Sequence, residues 1–128
     1  MTYLIDSDIL IDFFNKVEPG QGLVKEFLKE GNDVVISVLS ITEICAGWSE
    51  KESKVYLPLL YDLFSVLPVT KEVAELSGRL RYDYKHNHQR KLKTIDTTIA
   101  ATAITKGFHF ATKNLKDYPM PELKLYTQ

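Results

Sequence analysis

Cysteine is almost absent: Cys45 stands alone in 128 residues. One cysteine excludes an intramolecular disulfide and fits a reducing cytoplasm. No apolar run approaches the roughly 20 residues of a membrane-spanning helix. The N-terminus has no basic stretch leading into a long apolar one, so no secretory signal is expected and the protein reads as cytoplasmic. Nor is there an excess of one charge sign. Sixteen Lys and Arg face seventeen Asp and Glu, a formal net charge of -1, which argues against a generally basic nucleic-acid binder. Repeats, low-complexity stretches and linkers are missing too. What remains is 45% hydrophobic and 26% charged, enough to bury a core under an ordinary polar surface. The length suits one domain over 1–128.

The apolar residues follow two rhythms. Tyr3 to Asp6, Val34 to Val38, Ser65 to Val69, Phe108 to Thr112 and Leu123 to Tyr126 read as short strands, continuously apolar where both faces are buried. Between them, apolar residues recur at three- and four-residue spacing, as in Leu23, Val24, Phe27 and Leu28, or Val73, Leu76, Leu80 and Tyr84. That is the spacing of amphipathic helices. Ser7 or Asp8 is expected to cap the first helix, and Ser40 to open a short one closed by Ala46-Gly47. Pro58 should kink or restart the next, Thr70 cap the one after, and Thr94 or Ile95 begin the last.

Strands alternating with helices predict an α/β domain of three layers, with a mostly parallel central sheet of about five strands between helices. In such sheets ligands collect beyond the carboxyl ends of strands, where strand order reverses. If the first and fourth strands are neighbours, Asp6, Asn114 and Asp117 share one crevice.

Each acid near that rim also has a purely structural explanation. Asp8 and Asp96 fall in first helical turns, where the helix dipole favours carboxylates. Glu43 stands three residues after Ser40, the capping-box pattern. Asp6 resists this explanation because it ends a strand. Several carboxylates in one crevice repel and raise each other's pKa, so a site that gathers them needs a cation. Carboxylate oxygens without Cys or His select Mg²⁺ or Mn²⁺. Ala100, Ala101 and Ala103 let the helix after Asp96 lie close to the sheet and fix that carboxylate. Cys45 reads as core and His109 as a strand residue.

Lys85-His86-Asn87-His88-Gln89-Arg90-Lys91-Leu92-Lys93 holds four Lys/Arg and no acid. It is either a solvated loop or a strip that contacts phosphates. Trp48, Tyr56 and Tyr61 are either core aromatics or the lining of a groove for a partner segment.

Four blocks, in order, resemble the PIN-domain ribonucleases, in particular the VapC-like toxins of bacterial toxin–antitoxin pairs. Tyr3-Leu4-Ile5-Asp6-Ser7-Asp8-Ile9-Leu10-Ile11 is similar to the family's opening strand and first acid. Ser40-Ile41-Thr42-Glu43-Ile44 resembles its second-acid helix, and Asp96-Thr97-Thr98-Ile99-Ala100-Ala101-Thr102-Ala103 its most recognisable block. Ala111-Thr112-Lys113-Asn114-Leu115-Lys116-Asp117-Tyr118 resembles its closing motif. The resemblance implies a metal-dependent endoribonuclease acting on RNA, a homodimer, and a cognate antitoxin partner. By position it makes Asp6 and Asp96 the principal Mg²⁺ or Mn²⁺ ligands, joined by Glu43 directly or through water. Many relatives have an acid where this chain has Asn114; Asp117 can supply it three residues later, and Asn114 a neutral oxygen. Ser7, Asp8 and Thr112 would support the ligands or a phosphate, while Lys85, Arg90, Lys91 and Lys93 guide the RNA backbone. These blocks place no histidine or lysine as a general base, so activation of water is expected to fall to the cation.

Two other readings compete. Asp6-Ser7-Asp8 also fits the opening of haloacid-dehalogenase-type phosphatases, with Asp6 as nucleophile, although Thr112-Lys113 matches poorly in spacing what such enzymes need later. The other is a PIN-like module that binds RNA or protein without cutting, against which the presence of Asp6, Glu43 and Asp96 argues.

Overall fold

Five strands form one sheet: β1 (Thr2–Ile5), β2 (Asp33–Ser37), β3 (Ser65–Leu67), β4 (His109–Ala111) and β5 (Lys124–Leu125), in the computed structural model, which describes residues 1–127. The last residue of the 1–128 span lies outside them. The strand order is β3-β2-β1-β4-β5 and every pairing is parallel. Six helices alternate with the strands: α1 (Ser7–Asn15), α2 (Gly20–Lys29), α3 (Val38–Cys45), α4 (Glu50–Leu63), α5 (Lys71–Asn87) and α6 (Thr94–Lys106). None is long and apolar enough to cross a membrane, among the described residues.

Successive strand side chains point to opposite faces, and here both faces are covered. Leu4, Val35 and Phe110, in register across β1, β2 and β4, pack with Leu80, Tyr84, Ile99 and Ala100 of α5 and α6. Ile5, Val34, Ile36 and Ala111 pack on the other side with Ile9, Leu10, Val24 and Phe27 of α1 and α2. This double burial is why the strands read as unbroken apolar runs. Ala100, Ala101 and Ala103 are fully buried, so α6 sits tight on the sheet.

Two local expectations, both about helix caps, need correction. Asp6, not Ser7 or Asp8, caps α1: its carboxyl accepts from the Ser7 N–H. Ser40 does not open α3. The helix begins at Val38 with Ser37 as cap, so Ser40 is interior and buried, and no capping box forms with Glu43. The strand ends sooner than its apolar run suggests because the Ser37 hydroxyl offers Leu39 N–H a partner at 3.1 Å. Pro58 neither breaks nor restarts α4. Its ring lies on the exposed side of the helix. Trp48 and Tyr56 are half-buried against Phe14, at centroid distances of 5.2 and 6.0 Å, while Tyr61 is exposed.

Candidate active site

β2 and β3 extend the sheet to one side of β1, and the chain then crosses to place β4 on the other. The reversal therefore falls between β1 and β4, and Asp6 and Thr112 leave those two strands side by side. The Asp6 N–H donates to the Ala111 carbonyl at 2.9 Å. Asp6 is 6% exposed. One of its oxygens accepts from Ser7 N at 2.8 Å; the other accepts from Thr112 Oγ1 at 2.9 Å and Tyr118 Oη at 2.7 Å. A carboxylate offers roughly four lone-pair sites, so this one is held in orientation with about one site left.

Tyr118 completes the cradle. Burial, and then the neighbouring Asp6, push its phenol far above the ordinary tyrosine range, so it stays a proton donor. The sequence places it at the end of the closing block without a role, because its partner lies 112 residues away.

Glu43 arrives from α3. Ser7 Oγ stands 2.6 Å from Glu43 Oε1 and 2.8 Å from Ser40 Oγ. A hydroxyl has one hydrogen; with that hydrogen on the carboxylate, Ser40 donates to Ser7 in return. The interior position of Ser40 is thus what ties α3 to α1.

Asp96 lies in the first turn of α6. Its carboxyl is pushed up by partial burial, then by Asp6 and Asp117, with a smaller push from Glu43, and Lys93 pulls it down. Asp96 and Asp117 line one small cavity of about 50 Å³ with Arg90, Lys91, Leu92 and Lys93. Asp117 ends a 3₁₀ turn (Leu115–Asp117), which Arg90 fastens by donating to the Lys116 carbonyl. Asn114 faces elsewhere: its amide donates to Asp8 at 3.3 Å. Of the two residues considered for the fourth acidic position, Asp117 is the one beside Asp96.

Asp8 clamps the segment after β4 onto α1. It accepts from Ile9 N at 2.7 Å, Lys113 N at 3.0 Å and Asn114 Nδ2, and lies 3.3 Å from Thr112 Oγ1. Burial, then Asp6, raise its carboxyl to about 6. Below it, Lys113 Nζ reaches the buried Asp12 at 2.9 and 3.0 Å. Asp12 has no role assigned from sequence; its place on an otherwise apolar stretch of α1 is the available hint.

These residues fit a hard divalent cation. The donors are all oxygen, and Asp8 and Asp96 are raised first by burial and then by the neighbouring Asp6 carboxylate. No three Asp, Glu, His or Cys side chains among the described residues stand ready to hold one ion. Mg²⁺ does not require three: it keeps several waters and takes one or two carboxylates. Of the basic strip, Arg90, Lys91 and Lys93 border the acid rim, whereas Lys85, near the end of α5, lines a neighbouring groove.

The PIN domain family model matches residues 3–116. Ribonuclease VapC19 of Mycobacterium tuberculosis is 33% identical over 125 residues, which is 94% of this chain and 96% of the relative. A toxin-antitoxin complex from Klebsiella pneumoniae contains a chain of the same fold, with a TM-score of 0.78 and 25% identity over 98% of this chain and 96% of that one. VapBC2 of Rickettsia felis, bound to a DNA fragment from its promoter, gives a TM-score of 0.82 and 21% identity, covering 100% and 99%. With Asp6, Glu43, Asp96 and Asp117 at the sheet's carboxyl rim, this chain belongs to the PIN-domain family, among the VapC ribonucleases.

Proposed function

We propose that this chain is a Mg²⁺- or Mn²⁺-dependent endoribonuclease, the toxin of a toxin–antitoxin pair, acting in the cytoplasm as a homodimer. The observation that carries the site is the small cavity in which Asp96 of α6 and Asp117 of the turn after β4 stand side by side, bordered by Lys91 and Lys93. The four acids come from the end of β1, from α3, from α6 and from the turn after β4, each far from the others in sequence. The relative's ribonuclease activity and the antitoxin partnership of the Klebsiella complex support the reading.

A divalent cation at this rim supplies activation of the attacking water and offsets charge on the leaving oxygen. The protein's own part is placement. Thr112 and Tyr118 fix Asp6, Ser7 fixes Glu43, and the Arg90-braced turn holds Asp117 beside Asp96. Lys91 and Lys93 border that cavity and draw the RNA phosphates toward it. A phosphatase that attacks through Asp6 fits less well: that carboxyl is buried with three accepted bonds, and Lys113 is spent on Asp12.

Expression of the wild type and Asp6→Asn at equal soluble levels, followed by mapping of RNA ends, tests this. New ends and growth arrest are expected from the wild type alone, with relief by the cognate antitoxin. Wild-type expression without new ends or arrest would remove the assignment.

A further inference from the structure

Beside the acid rim, α5 and the segment joining it to α6 enclose a second groove of about 360 Å³. We propose that this groove is a nucleotide subsite that stacks one unpaired base of a single-stranded RNA and holds its phosphate. The proposal rests on the ribonuclease reading above and names how that substrate is held.

Three cations, Arg81, Lys85 and Lys91, line the groove, and no acid does. In a chain whose net charge is -1, such local segregation favours a polyanion. The groove also has an aromatic platform. Tyr82 and His86 stack with ring centroids 3.8 Å apart and 22° between planes. His86 Nδ1 sits 2.9 Å from the Tyr82 carbonyl, so the imidazole is pinned by its own helix. Tyr82 is 65% exposed, an aromatic ring that contributes little to the core. Aromatic faces beside cations are what bind single-stranded bases regardless of sequence, and paired bases are unavailable for such stacking. Gly78, in the groove wall, has only open space where a Cβ would stand, although glycine weakens a helix interior.

The groove is joined to the acid rim. Lys91 and Leu92 line both it and the small cavity that holds Asp96 and Asp117. Arg81 Nε donates to the Leu92 carbonyl at 3.3 Å, which fastens that shared wall to α5. An RNA strand with one phosphate at the acids can therefore run past Lys91 and set a neighbouring base on Tyr82.

The test compares Tyr82→Ala and Tyr82→Trp in a non-cleaving Asp6→Asn chain. The probes are a single-stranded adenine RNA decamer carrying 2-aminopurine and an abasic decamer of the same backbone. Tyr82→Ala should bind the adenine decamer roughly tenfold more weakly or worse, and Tyr82→Trp should restore binding. The abasic decamer should bind all three proteins alike. Equal affinity of Tyr82→Ala and Tyr82 proteins for the adenine decamer would overturn the subsite, as would equal losses on both probes. Unchanged RNA affinity with altered sedimentation would assign the face to a second copy of the chain and also overturn it. Because binding is read without cleavage, a wild type that cuts no RNA defeats the nuclease reading alone.

Discussion

Asp6 caps α1 with one oxygen and gives the other to Thr112 and Tyr118. Removing the phenol hydroxyl leaves a buried carboxyl short of a partner. Tyr118→Phe should therefore lower unfolding free energy by about 1–3 kcal/mol, read from denaturant titration, and slow RNA cleavage at least severalfold. Unchanged cleavage would show that Tyr118 does not position Asp6. A pH effect belongs to the same scale. Asp8 rises from an ordinary 3.8 to about 6, so the folded chain binds more protons than the unfolded chain between those values. Its stability should then fall as pH rises from about 4 to 6. Added Mg²⁺ should raise the melting temperature more at pH 7.5 than at pH 5; an equal rise at both would contradict a cation beside these acids. The sequence pointed to Asp6 and Asp96 because a strand end and a helix start are visible as patterns; it pointed to Glu43 through a capping box with Ser40 that does not form. Tyr118 was invisible because nothing local ties it to Asp6. Asp8 looked like a cap because its bonds to residues 112–114 exist only after β4 has docked.

The corner between α1 and α2 shows how an element depends on its neighbours. Asp12, 6% exposed, accepts from Lys113 Nζ and from Gly20 N at 3.1 Å. A Cβ at Gly20 would stand 2.3 Å from the Asp12 Cβ and 2.9 Å from the Ile9 carbonyl oxygen. Backbone cannot yield as a flexible side chain can, so Gly20→Ala should cost about 2 kcal/mol or more, seen as a lower melting temperature. Retention of the wild-type value would mean that the corner opens freely. At this scale the sequence conveyed the alternation of strands and helices, because apolar spacing encodes it. It misplaced the start of α3, since Ser37 and Ser40 both offer plausible caps and only the sheet decides between them.

At the scale of the molecule, acids gather at the carboxyl rim of β1 and β4, and a groove lined by Arg81, Lys85 and Lys91 lies beside them. The sequence pointed to the rim only on the condition that β1 and β4 are neighbours, and the parallel order β3-β2-β1-β4-β5 meets that condition. The joining of the basic groove to that rim was not legible, because it depends on how the Lys91–Leu92 segment folds between α5 and α6. The central claim, that the acids around Asp96 cut RNA with a divalent cation, is tested most directly by single-turnover RNA cleavage across a Mg²⁺ titration, wild type against Asp96→Asn. The account predicts a rate that rises and saturates with Mg²⁺ in the wild type and falls by roughly a hundredfold or more in Asp96→Asn, with melting temperatures alike. Cleavage by Asp96→Asn at the wild-type rate, or a wild-type rate indifferent to Mg²⁺ and to its chelation, would contradict it.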